Sequence, residues 1–90
     1  MSIRINLYSG LQGFADGRRI VEVEGDTVGQ CLSDLLKRFP KLRPVLFDEE
    51  GKLSIGVFIS VNLNSPDSES LARRVTEKDE LYIIRIIGGG

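Results

Sequence analysis

Four stretches of the chain have the pattern of strands, and in the first three of them apolar and polar residues alternate with a two-residue period. The apolar members of the first two stretches are Ile3, Ile5, Leu7, Val21 and Val23. Successive side chains of a strand point to opposite faces, so this period predicts strands with one buried face. The polar, glycine-rich residues 10–17 separate the two stretches, which predicts a hairpin with a long loop.

The third and fourth stretches differ from the first two in length and in the number of apolar faces. Apolar positions alternate from Leu53 to Leu63, which predicts one long strand with a fully apolar face and with Phe58 on the opposite face. Residues 80–87 are apolar on both faces, which is typical of a central strand that is covered on both sides. The polar residues 64–70 predict a loop, and residues 71–75 a brief turn.

One substantial stretch has the period of a helix. Thr27 and Gln30 are spaced like the members of a capping box, in which side chains satisfy free N–H groups at a helix start. Pro40 prevents the helix from continuing. Cys31 lies at the edge of the apolar stripe, and we interpret it as a small buried hydrophobe. The apolar stripe of this helix consists of Val28, Leu32, Leu35, Leu36 and Phe39. A second, short helical turn is predicted over residues 42–47.

Length and composition exclude several classes of function. Ninety residues form one domain, and 41% hydrophobic with 28% charged residues is typical of a folded protein. A net charge of -1 gives no basic field for nucleic acid or for an anionic membrane surface. The chain has no His and one Cys, which excludes imidazole catalysis, an internal disulfide and a multi-ligand zinc site. We therefore expect no metal and a cytoplasmic location.

Two stretches resemble chemical sites without meeting their physical requirements. The glycines of residues 10–17 lead into no predicted helix, so the convergent N–H groups that hold a phosphate would be missing. The acidic residues 48–50 precede Gly51 in a predicted exposed turn. A solvated turn lacks the burial that would separate the pKa values of two catalytic carboxylates. Neither stretch predicts an active site.

The last predicted strand has more apolar surface than one helix can cover. If Leu81 and Ile83 face the helix, the opposite face carries four apolar side chains, with Tyr8 near them. An exposed patch of this kind is typical of a partner-binding surface. The alternative is that loops of the chain itself cover it. The predicted partner-binding residues are Phe58, Tyr82, Ile84 and Ile86.

Three glycines, Gly88, Gly89 and Gly90, follow the last predicted strand. A tail without side chains is narrow enough to enter another protein, whereas the simpler interpretation is a frayed end.

The whole chain, in the order strand, strand, capped helix, strand, strand, resembles the ubiquitin-like sulfur carriers. This family includes the small subunit of molybdopterin synthase and the carriers of thiamin and cysteine biosynthesis.

Five short motifs carry the resemblance. They are Gly25-Asp26-Thr27-Val28, Gly51-Lys52-Leu53, Val61-Asn62, Lys78-Asp79-Glu80-Leu81 and Gly89-Gly90. The second is more similar to the molybdopterin and cysteine carriers than to the thiamin carrier. In place of the proline and small residues that often precede the diglycine, this chain has Arg85-Ile86-Ile87-Gly88, which leaves the pathway open.

The resemblance implies an α+β fold of the β-grasp type. A mixed sheet of four to five strands would pack on one main helix, with the first and last strands adjacent and parallel at its centre. Residues 1–87 would form the domain and residues 88–90 a flexible tail.

The resemblance also implies that the chain is a carrier and supplies no catalytic residue or bound cofactor. An E1-like adenylating enzyme would join the Gly90 carboxylate to AMP from ATP. A sulfur donor would then convert it to a thiocarboxylate, for use by a synthase large subunit or another sulfur-accepting enzyme. Two alternatives stay open: a ubiquitin-like modifier joined to lysines through Gly90, and a β-grasp interaction module with an inert tail.

Overall fold

A computed structural model of the chain describes residues 2–8, 10–63 and 70–86. In this part of the chain, four strands form one mixed sheet and the longer helix packs on one of its faces. Short 3₁₀ turns, Leu11–Phe14 and Pro40–Leu42, connect the elements. The elements are β1 (Ser2–Leu7), β2 (Ile20–Glu24), α1 (Val28–Arg38), α2 (Arg43–Leu46), β3 (Val57–Val61) and β4 (Glu80–Arg85).

The strand order is β2-β1-β4-β3, which places the first and last strands at the centre of the sheet. β1 and β4 are parallel, with Ile5 beside Leu81, and both outer strands are antiparallel to their neighbours. The predicted hairpin, the parallel central pair and the central position of the last strand are therefore confirmed. The strand count lies at the lower end of the predicted four to five.

The core lies between the sheet and α1. Each strand contributes alternate apolar side chains to it, and α1 contributes the stripe predicted from its helical period. Fully burying one such aliphatic side chain stabilises the fold by about 1.5–3 kcal/mol. Members with no exposed surface include Ile3, Ile5, Val23, Leu35, Leu81 and Ile83.

The start of α1 is capped as predicted, with one difference in the hydrogen bonds. The Gln30 N–H donates to Thr27 Oγ1 at 3.1 Å. The Gln30 side chain reaches back to accept from the Asp26 N–H at 2.7 Å, one residue before the usual capping-box donor. At the other end Pro40, which lacks an N–H, begins a 3₁₀ turn.

Cys31 is fully buried on α1, in agreement with its interpretation as a small hydrophobe. Burial first, and then the nearby negative charges of Asp34, Asp26 and Glu24, raise the pKa of the Cys31 thiol to about 11. The thiol is therefore protonated at neutral pH and is a poor nucleophile.

The prediction of one long strand from Leu53 to Leu63 is wrong. β3 covers Val57–Val61 only, and both Ile55 and Leu63 are exposed. Gly56 has φ +88°, which forms a turn before the strand, and Asn62 and Leu63 have φ near +56°, which ends it. The apolar alternation continues through both turns, so it does not reveal them: the type of a side chain does not indicate whether its backbone has a positive φ.

The segment after β3 contains the predicted turn and passes the start of α1. The Arg73 N–H donates to the Ser70 carbonyl, and the Leu71 and Arg73 carbonyls accept from the first N–H groups of α1. The polar loop predicted at residues 64–70 lies outside the described residues except for Ser70. Residues 87–90, with the predicted tail and the end of the predicted domain, also lie outside them.

Candidate functional site

The two faces of β4 have the orientation that the sequence predicts. Leu81 and Ile83 are fully buried against the helix, whereas Tyr82 and Ile84 are half-buried on the opposite face. We call the face away from α1 the outer face. Its apolar residues are the structural counterpart of the predicted partner-binding surface.

Five apolar or aromatic side chains on the outer face form what we call the outer patch. Ile84 pairs across the sheet with Phe58, and Tyr8 continues β1 by donating its N–H to the Ile83 carbonyl at 3.1 Å. Phe58 is 38% exposed, Tyr8 39% and Ile86 60%, so no loop among the described residues closes over the patch. The outer patch consists of Tyr8, Phe58, Tyr82, Ile84 and Ile86.

A pair of tyrosines forms the border of the outer patch. The rings of Tyr8 and Tyr82 are stacked, with centroids 6.1 Å apart and an angle of 18° between their planes. The Tyr82 hydroxyl donates to Glu80 Oε2 at 3.2 Å. Burial first, and then this hydrogen bond, raise the pKa of the Tyr82 phenol above its ordinary value. Tyr82 therefore presents a neutral ring, stacked on the ring of Tyr8.

Polar residues occupy the opposite end of the outer face. Arg4, beside Glu22 of β2, forms an ion pair of 3.9 Å with Glu80 at the start of β4. Both side chains are well exposed, so this pair contributes at most about 1 kcal/mol to stability. Since β1 and β4 are parallel, the apolar residues lie where these strands end. The outer patch thus lies at the end of the sheet where β4 ends.

The sequence interpretation missed one residue beside the outer patch. Ile55 was expected to face the core, but its side chain is fully exposed in the turn before β3. The Gly56 carbonyl in the same turn accepts from the Ile86 N–H at 2.7 Å, which brings this turn to the patch. The glycine after Ile55 was the signal, because a glycine inside an alternating stretch is typical of a turn or bulge.

The roles predicted for Gly88, Gly89 and Gly90 stay predictions, because these residues lie outside the described ones.

Among residues 2–8, 10–63 and 70–86, no group of three or more His, Cys, Asp or Glu side chains could hold a metal ion. In the same ranges, no helix is both long and apolar enough to cross a membrane. The predicted location in the cytoplasm also stays a prediction.

Comparisons with known proteins place the fold and the chain in context. No protein-family model matches the chain. The sulfur carrier protein CysO of Mycobacterium tuberculosis is 25% identical over 93 residues, a match that covers all of both chains. The crystal structure of SAMP1 from Haloferax volcanii superposes with a TM-score of 0.85 and 28% identity, again over all of both chains.

The crystal structure of the BexX/CysO complex from Amycolatopsis orientalis contains a third relative. It superposes with a TM-score of 0.80 and 27% identity, covering 98% of this chain and 99% of that one. These matches support the ubiquitin-like sulfur-carrier family. The fold is a β-grasp, as predicted. Among these relatives, CysO is a sulfur carrier protein, and the CysO of Amycolatopsis orientalis has been crystallised in a complex with BexX.

Proposed function

We propose that this protein is a sulfur carrier that is activated at Gly90. The observation that carries the proposal is its full-length likeness to two CysO proteins, that of Mycobacterium tuberculosis at 25% sequence identity and that of Amycolatopsis orientalis at a TM-score of 0.80. The position of the outer patch supports it, because the patch lies where β4 ends and the chain continues toward Gly90. A partner on this patch would hold the acyl end close to its own active site.

The chemistry requires a partner because a carboxylate is a weak electrophile. An E1-like adenylating enzyme would let a Gly90 carboxylate oxygen attack the α-phosphate of ATP, releasing pyrophosphate and forming an acyl adenylate. The outer sulfur of a persulfide donor would then displace AMP and form an acyl disulfide. A thiol would attack the donor's sulfur in this disulfide, which releases the thiocarboxylate and leaves a disulfide between the thiol and the donor. Glycine suits this position since the absence of a Cβ leaves the acyl carbon accessible in a narrow channel. The chain would bind no cofactor, and the ATP would belong to the partner.

The outer patch would provide the affinity for these partners. Ordering a chain end on binding costs conformational entropy, and burial of apolar surface offsets that cost by about 25 cal/mol per Å². The stacked Tyr8 and Tyr82 provide a large contact surface with few freely rotating bonds. A synthase large subunit or another sulfur acceptor would use the same surface after the activating enzyme has dissociated.

Intact-mass measurement tests this proposal. The full chain is incubated with E1-like adenylating enzymes of its own organism, ATP and a sulfur donor. We expect one oxygen to be exchanged for sulfur, and Gly90→Ala to reduce this exchange strongly without loss of stability. Gly13→Ala is the matched control, since a Cβ at Gly13 has no neighbour within 4 Å. If no such enzyme modifies the wild-type chain, or if Gly90→Ala is modified equally well, the proposal is wrong.

A protein modifier is the second candidate. It is supported by the likeness to SAMP1, a small archaeal modifier protein, at a TM-score of 0.85. The activation step would be the same, but a lysine amine of a target protein would displace AMP. Digested proteins from the chain's own cells would then carry Gly90 remnants on lysines. Their presence without any thiocarboxylate would favour the modifier over the carrier.

A further inference from the structure

The turn before β3 contains Gly56, which has less space for a Cβ than any other glycine with positive φ in the described part of the chain. The Val57 N–H donates to the Ser54 carbonyl at 3.1 Å, which closes a four-residue turn, and Gly56 at its third position has φ +88°. A turn with positive φ at this position favours glycine. Within the described ranges, a Cβ at Gly10, Gly17 or Gly51, which also have positive φ, would have no neighbour within 4 Å.

Gly56 instead lies directly against the backbone of Ile86. Its carbonyl accepts from the Ile86 N–H at 2.7 Å, which extends the β3–β4 pairing by one position beyond the strands. A Cβ at Gly56 would lie 2.5 Å from the Ile86 carbonyl oxygen, too close for any side chain. Both the turn and this backbone contact therefore require glycine.

Ile86 is four positions before Gly90. Four residues span at most about 14 Å when fully extended. A partner bound to the outer patch can reach Gly90 only within that distance of Ile86, so the place where the described chain leaves the sheet bears directly on that reach. An error of about 1 Å in the position of a reacting group can reduce a rate by roughly 100-fold.

We propose that Gly56 is a positioning residue for the activation of Gly90. By holding the Ile86 backbone, it sets the point and the direction in which the chain leaves the sheet toward the active site of the adenylating enzyme. This inference rests on the proposed function. The pairing of Phe58 with Ile84 lies farther inside the sheet, so loss of the Gly56 contact leaves most of the outer patch in place.

The test compares Gly56→Ala with Gly51→Ala. Both variants place alanine at positive φ, +88° and +79°, but only the first forces a Cβ against Ile86. The readout is ATP–pyrophosphate exchange, with the chain as substrate of the adenylating enzyme that modifies the wild type. We expect Gly56→Ala to lower kcat by roughly 10- to 100-fold with KM nearly unchanged, because docking is retained and positioning is lost. Gly51→Ala should match the wild type in both constants.

A measurement without the enzyme tests the contact itself. Hydrogen exchange of the Ile86 amide, followed by NMR, should be slow in the wild type and in Gly51→Ala, and fast in Gly56→Ala. If Gly56→Ala does not fold, Ile86→Pro replaces it, because proline has no N–H to donate to the Gly56 carbonyl. Ile86→Ala is its control, since it keeps the N–H and removes only the side chain. We expect both variants to raise KM, because both lose the Ile86 side chain, and only Ile86→Pro to lower kcat.

Several outcomes would overturn the inference while leaving the proposed function intact. One is a kcat of Gly56→Ala equal to that of Gly51→Ala. Another is a rise in KM alone, which would make Gly56 part of the docking surface instead. Equal exchange of the Ile86 amide in the two variants would show that Gly56 does not hold this residue. Failure of every adenylating enzyme to charge the wild-type chain would instead contradict the proposed function.

Discussion

Asp79 connects the end of β3 to the loop before β4. One carboxylate oxygen accepts from the Asn62 side-chain amide and the other from the Thr76 N–H, both at 2.8 Å. Asn62 in turn accepts from the Glu80 N–H at 2.8 Å. Two of the short motifs behind the family resemblance, Val61-Asn62 and Lys78-Asp79-Glu80-Leu81, therefore meet in one cluster. Their role in this structure is to hold two strand ends together.

This cluster predicts that stability depends on the charge of Asp79. Hydrogen bonds, first from the Thr76 backbone and then from the Asn62 side chain, hold the pKa of Asp79 below its ordinary value. An unfolded aspartate has a pKa of about 3.9. The stabilisation is thus complete above that pH and is lost as the pH falls through the lower native pKa. Urea denaturation between about pH 6 and pH 2 measures it.

Asp79→Asn should be less stable than the wild type at neutral pH and should lose less stability on acidification. Glu77→Gln is the control, because it removes an exposed carboxylate two residues away. Glu77→Gln should lose as much stability on acidification as the wild type does. An Asp79→Asn variant with the same pH dependence as the wild type would contradict the prediction.

At the scale of elements, the local sequence was sufficient to predict an element where all its signals indicated the same structure. α1 has a capping residue, one apolar stripe and a terminating proline, and it forms as predicted. β3 is shorter than predicted because its apolar pattern continues through two turns. Gly56 has φ +88° in the turn before β3 and lies against Ile86, 30 positions later in the chain. A local pattern does not contain such a contact.

The cap of α1 can be tested by substitution. Thr27→Ala removes the acceptor of the Gln30 N–H and should reduce the free energy of unfolding by about 1 kcal/mol. Thr27→Ser keeps the hydroxyl and should lose less than Thr27→Ala. Urea denaturation of both variants against the wild type gives the comparison. Equal stability of all three proteins would mean that the hydroxyl does not cap the helix.

At the scale of the whole molecule, the two faces of the sheet differ in what covers them. α1 closes the inner face into a core, whereas the outer patch stays open at the ends of β1 and β4. This difference separates positions that maintain the fold from positions that are available to a partner. Neighbouring residues of the same strand fall into the two classes.

Ile83 and Ile84 are adjacent and test this separation. Ile83→Asp places an unpaired charge in the core and should cost more than about 4 kcal/mol, enough to unfold a small domain. Ile84→Asp should cost about 1–2 kcal/mol and leave a folded protein. Its binding to the adenylating enzyme, measured by calorimetry, should weaken by roughly tenfold or more, and Phe58→Ala should have a smaller effect in the same direction. Insoluble or unfolded Ile84→Asp would show that this residue belongs to the core.

The sequence by itself determined which side chains each element buries, because periods of 2 and 3.6 residues follow from local backbone geometry. It also contained the two central strands and the apolar excess of the last one. The hairpin of the first two strands followed from the sequence pattern, whereas the parallel pairing of the first and last strands was inferred from the family resemblance. Only the tertiary structure decided where β3 begins. That boundary lies at the turn of residues 54–57, where Gly56 at φ +88° packs against the backbone of Ile86, a contact between distant parts of the chain that no hydrophobic pattern specifies.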